Sequence, residues 1–295
     1  MLQEPNETMQ VMAPLISFDT LAVHEGVIAC FILAVAFVGS LYLAPTNKPR
    51  DDPETIRWRM LLTGIVTISS PFYLLLWADR TTTEQGAELH HVLGIKTDGI
   101  LTAIILPLLL TIVLYAGVII HTLMAFASQS NSVLMHFNAY RLSFCLEICL
   151  RNYFVAPFVE EFVFRACMLP MLTASMGKWI GVLVCPLFFG VAHLHHLVEW
   201  YRWRQRPLVH ALLITTVQFC YTSLFGLYSA FLFIRTGHLT SPVVSHMFCN
   251  FMGLPDIDTL IRSKYSMLLW TLYVCGLLGF LSLLVPLTDP SLYYL

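Results

Sequence analysis

The chain has 295 residues, 57% of them hydrophobic and only 12% charged, with a mean hydropathy of +0.73. A soluble domain carries about a quarter charged residues, so this composition excludes a water-soluble globule of this length. The formal net charge of -2 argues against nucleic acid as a partner.

Crossing the hydrocarbon takes about 20 mostly apolar residues in a helix. In chain order, residues 27–44, 60–78 and 100–120 satisfy this almost without charge. Glu4, Glu7 and Asp19 precede the first run where a cleaved signal peptide would be basic, so no such leader is expected. Residues 136–151 mix apolar positions with Arg141, Glu147 and Arg151 and read as an amphipathic helix on the membrane surface. The runs 153–172, 179–198 and 208–234 are long enough but contain ionisable groups. A short eighth element, 242–254, carries a histidine, and 267–287 is again free of charge. The expected fold is all-α: a polytopic transmembrane helical bundle of about eight spans around a polar intramembrane cavity. It forms one integral membrane domain over 1–295, with a catalytic core at about 151–254. The eight cysteines lie mostly in apolar runs without C-x-x-C or zinc-like spacing and are read as reduced, buried hydrophobes.

With eight spans, the loops after the odd-numbered ones hold eleven Lys and Arg residues against four on the other side, so the first set is expected to be cytoplasmic. Asn6-Glu7-Thr8, a glycosylation sequon, then falls on the lumenal side.

Ionisable groups inside spans are costly and face a cavity or a partner. Here they cluster in the C-terminal half: Glu160, Glu161 and Arg165; then His193, His195 and His196; then His246 with Asn250. Glu161 and Arg165 are four apart and share a helical face, so they are expected to pair. Glu160 points about 100° away and stays available. His246 and Asn250 converge by the same spacing, and Phe189 forms a hydrophobic wall beside His193. His195 and His196 are read as solvated at the membrane boundary, and His210 and His238 as non-catalytic. A base next to a histidine, opposite two hydrogen-bond donors, suits water activation and oxyanion stabilisation. A proton or ion pathway uses the same residue types, and the residues alone leave both readings open.

Three motifs occur in order in separate apolar segments: Glu160-Glu161-x-x-x-Arg165, Phe189-x-x-x-His193 and His246-x-x-x-Asn250. Together they resemble the CAAX prenyl endopeptidase type II family, the Ras-converting enzymes, in its eukaryotic branch. The flanking stretches FVFRACMLPML, CPLFFGVAH and FLFIRTGHL resemble it too. The resemblance implies removal of the C-terminal tripeptide from farnesylated or geranylgeranylated CAAX proteins such as Ras-like small GTPases. It places the enzyme in the endoplasmic reticulum membrane as a multi-pass protein with its active site toward the cytosol. By similarity, Glu160 and His193 activate the attacking water, His246 and Asn250 stabilise the oxyanion, and Glu161, Arg165 and Phe189 support the site. No cofactor or metal is expected. The alternatives are a zinc-dependent protease using the same residues and a non-enzymatic membrane scaffold or transporter. The chain has no H-E-x-x-H, and asparagine is a poor zinc ligand, which favours the metal-free reading.

Overall fold

The structure, a computed structural model, describes residues 15–81, 86–128 and 146–293. The Asn6 sequon, Arg141 and residues 136–145 of the expected surface helix lie outside the described residues.

The described chain is almost entirely helical. One small antiparallel ribbon pairs β1 (Leu15–Ser17) with β2 (Asp79–Thr81), Leu15 opposite Thr81 and Ser17 opposite Asp79. It ties the segment before the first helix to the loop after the second. The helices are α1 (Val23–Ser40), α2 (Pro53–Leu75), the short α3 (Leu89–Val92), α4 (Ile100–Leu114) and α5 (Ala116–Ser128). Next come α6 (residues 146–176), α7 (Lys178–Trp203), α8 (Leu208–Thr236), α9 (Thr240–Met252), α10 (Ile257–Arg262) and α11 (Ser266–Leu287).

Among the described residues, α1, α7, α8 and α11 are long and apolar enough to cross a membrane, and α4 with α5 make a fifth if counted as one broken span. Residues 100–120, expected to be one span, bend by 67° at Tyr115. The bend lets α11 approach closely: a Cβ on Gly276 would lie 2.8 Å from the Val113 carbonyl oxygen. The helices α2 and α6 have the length but carry charge, and α9 has only 13 residues. The expected eight spans are thus matched by helices, of which length and composition support four or five as spanning.

The polarity runs opposite to that of a soluble protein. Ile28, Phe31, Leu183, Leu187, Leu224, Leu268 and Leu278 face outward, while Glu161, Arg165, Ser229 and His246 are buried. Hydroxyls inside helices bond their own backbone, as Thr67 does to Thr63 O and Thr215 to Ala211 O at 2.8 Å each. Proline positions are compensated in kind. Pro107 cannot donate to the carbonyl four residues back, and that carbonyl, of Ala103, accepts from Ser241 Oγ at 2.9 Å.

The helix α6 contains two wider, π-type turns, Arg151–Val155 and Phe162–Met168. Each lies just before a proline, Pro157 or Pro170, whose ring crowds the preceding turn. Gly177, at φ +88°, then reverses the chain, and α7 runs back along α6. Gly181 makes the pair tight, since a Cβ there would lie 2.7 Å from the Thr173 nitrogen. Gly237, at φ +65°, ends α8 in the same way before α9. The seven cysteines among the described residues are free, and the Cys185 thiol donates to Phe164 O at 3.1 Å.

Candidate active site

The two hairpins set the depth of the polar groups. Glu161 lies sixteen residues before Gly177 and His193 sixteen after it, so both sit about 24 Å from that turn at 1.5 Å per residue. Ser229 lies eight residues before Gly237 and His246 nine after it, again at matching depth. Packing α6 against α8 and α9 brings the two sets together.

Glu161 is at the centre and fully buried. Its Oε1 accepts from Arg165 Nη1 at 3.2 Å and from His246 Nδ1 at 2.8 Å, and its Oε2 accepts from Ser229 Oγ. The expected pair with Arg165 is therefore present, but it belongs to a larger network that also reaches α8 and α9. Three donors occupy this carboxylate. Arg165 is also fully buried and rests its guanidinium over the Phe189 ring, 4.3 Å from the centroid.

Glu160 points elsewhere, as helical geometry requires. Its side chain is 19% exposed where that of Glu161 is 0%, and its Oε2 stands 3.8 Å from His246 Nε2. That is too long for a direct hydrogen bond. His246 therefore lies between two adjacent carboxylates, Nδ1 committed to Glu161 and Nε2 turned toward Glu160.

His193 sits where α7 tightens into a single 3₁₀ turn, His193–His195. Its Nδ1 lies 2.7 Å from the Phe189 carbonyl oxygen. A carbonyl can only accept, so this nitrogen carries the proton and Nε2 keeps its lone pair. Phe189 stacks edge-on against His193 at 4.6 Å and lies 6.2 Å from the His246 ring. It thus contacts the arginine and both histidines. Asn250, one turn beyond His246, donates from Nδ2 to Asn152 O at 3.0 Å.

Glu160, Phe189, His193, His246 and Asn250 all line one cavity of about 980 Å³. Much of its wall is aromatic or aliphatic, including Tyr115, Phe225, Tyr228, Phe280 and Leu284. Several wall residues, among them Leu183, Leu224 and Leu281, are also exposed on the outer surface, so the cavity opens sideways between helices.

Of the histidines set aside in the sequence, His210 is exposed and His238 is fully buried in the α8–α9 turn. His195 and His196 are half-buried, and His196 lines the large cavity. Among the described residues no group of three or more His, Cys, Asp or Glu side chains is placed to hold a metal ion. Two site residues escaped the sequence reading. Ser229 carried no signal, being one more serine in an apolar helix. Arg50 lies in the loop before α2 and reaches the cavity only through the fold.

Residues 142–252 match the family described as Type II CAAX prenyl endopeptidase Rce1-like. The Homo sapiens protein named CAAX prenyl protease 2 is 44% identical over 270 residues, 90% of this chain and 82% of that protein. The Arabidopsis thaliana protein of the same name is 33% identical over 295 residues, 93% of each chain. The Saccharomyces cerevisiae one is 28% identical over 248 residues, 76% of this chain and 78% of its own. No solved structure matches. With likeness of this extent running far beyond the three motifs, the chain belongs to the CAAX prenyl protease 2 family.

Proposed function

We propose that this protein is an intramembrane endopeptidase that removes the C-terminal tripeptide from prenylated CAAX proteins, Ras-like small GTPases among them. The observation that carries the reading is the division between two neighbouring carboxylates. Glu161 is closed off by three donors, whereas Glu160 faces a cavity shared with His193, His246 and Asn250. In this reading Glu160 and the Nε2 lone pair of His193 take the proton of the attacking water. His246, in the doubly protonated form that this requires, donates from Nε2 to the developing oxyanion, with Glu161 behind it holding Nδ1 and supplying counter-charge. Asn250 donates alongside from its amide. Arg165 and Phe189 fix Glu161 and both imidazoles.

The apolar wall of the cavity suits a prenyl chain, which gains about 0.8 kcal/mol per buried CH₂. The sideways opening admits that chain from lipid. The excess of basic residues in one set of loops supports a site facing the cytosol, and family membership supports the endoplasmic reticulum membrane.

The test is to incubate the purified protein in lipid with matched farnesylated and unfarnesylated CAAX peptides. Tripeptide release from the farnesylated peptide alone is the expected result. Release from neither would remove the endopeptidase reading.

A further inference from the structure

A second cavity, about 110 Å³, adjoins the first. The two share Arg50, Ala156, Glu160, His193 and His196, and Arg59 and Arg151 also line the small one, among apolar residues. Three guanidiniums around so small a space concentrate positive charge, and the neighbouring acids do not cancel it. Arg151 is committed. It donates to Asp51 Oδ1 at 2.8 Å, to Arg50 O at 3.0 Å and to Asn152 Oδ1 at 2.9 Å. Arg50 Nε stands 3.9 Å from the same Asp51 carboxylate, too far to share it by hydrogen bond. Glu199 faces Arg204 at 3.9 Å, and Glu160, which also lines this cavity, makes no hydrogen bond or ion pair with Arg50 or Arg59. Arg59 has its Nε buried with no hydrogen-bond partner. Partial burial, with the Arg151 charge beside it, pulls Arg50 below the usual guanidinium range. Two underused guanidiniums therefore face a pocket that opens beside Glu160.

We propose that Arg50 and Arg59 bind the C-terminal carboxylate of the peptide whose bond is cut beside Glu160 and His193, an assignment that rests on the endopeptidase reading. The planar guanidinium fork matches a carboxylate in geometry and charge. Three extended residues cover about 10 Å, which is the separation to be bridged between a scissile carbonyl and the chain terminus. Anchoring the terminus at a fixed distance counts three residues back to the cut, whatever the middle side chains are. The pocket is sized for a terminal carboxylate and the start of its residue.

The experiment compares a prenylated CAAX peptide bearing a free carboxylate with the same peptide as its C-terminal carboxamide, using the full-length protein in bilayers. The wild type should favour the acid by about ten- to a hundred-fold in kcat/KM, the range for a hydrogen bond to a charged group, mostly through KM. In Arg59→Gln and Arg50→Gln the acid-to-amide ratio should fall toward one. Arginines that only hold this part of the fold together would lower both substrates by the same factor and leave the ratio intact, which would overturn the proposal. So would a wild type that cuts acid and amide equally well. That last result needs no variant to fold. Equal cleavage combined with a requirement for anionic phospholipid, lost in Arg59→Gln, would give the pocket to a lipid phosphate instead. A wild type that cuts neither peptide strikes the endopeptidase reading itself, so the two failures are distinct.

Discussion

A carboxylate that takes a proton from water needs a lone pair facing that water. At the scale of single residues this separates Glu160 from Glu161. Glu160→Gln keeps the shape and removes the proposed base, and should lower turnover roughly 10²–10⁴-fold while the protein melts normally. Near-normal turnover would move the base elsewhere, His193 being next in line. Ser229 allows the complementary test. Ser229→Ala leaves one oxygen of the buried Glu161 carboxylate without its donor, which costs about 1–3 kcal/mol. The thermal midpoint should fall accordingly, and activity with it, because His246 loses a fixed partner. An unchanged midpoint would mean that water replaces the hydroxyl and that Ser229 is not a fixed part of the network.

At the scale of elements, close backbone approaches hold the bundle. Gly276 of α11 faces the Val113 carbonyl where the chain turns out of α4. A backbone oxygen cannot swing aside, so Gly276→Ala should destabilise by about 1–3 kcal/mol, read as a lower midpoint in thermal unfolding. It lies away from the cavity polar groups, and turnover at low temperature should hardly change. The bend itself was not legible in the sequence. Residues 100–120 carry Pro107 in mid-run, yet that proline sits in continuous helix because Ser241 satisfies the freed carbonyl, and the break falls at Tyr115, which signals nothing. The β1–β2 ribbon was equally invisible, since three-residue strands are set by tertiary pairing and have no period to read. The polar groups of the site were legible for the opposite reason. Glu160, Arg165 and His246 in apolar runs demand partners, whereas Ser229 and Arg50 are ordinary in their local sequence and gain meaning only from what packs against them.

At the scale of the whole molecule, the proposed chemistry lies in a cavity between helices whose outer faces are apolar. The expectation of a metal-free reaction is tested there. After exhaustive chelation the protein in bilayers should keep full activity, and elemental analysis should find no stoichiometric zinc. Activity lost on chelation and regained with added zinc would instead make His193 and His246 candidate ligands. Such an ion would lie about 2.0–2.1 Å from their nitrogens.

The matched arms about Gly177 have a consequence for inherited variation. One residue added to or lost from either arm of that hairpin slides its carboxylates or its imidazole by about 1.5 Å and swings them about 100°, so Glu160 and His193 would no longer face the same space. The exposed connection at Arg204, Gln205 and Arg206 joins the two hairpins without fixing any depth. Length changes among relatives should therefore collect in that connection and be purged from the arms, leaving the count from Gly177 to Glu160 and to His193 unaltered while the sequence around it drifts.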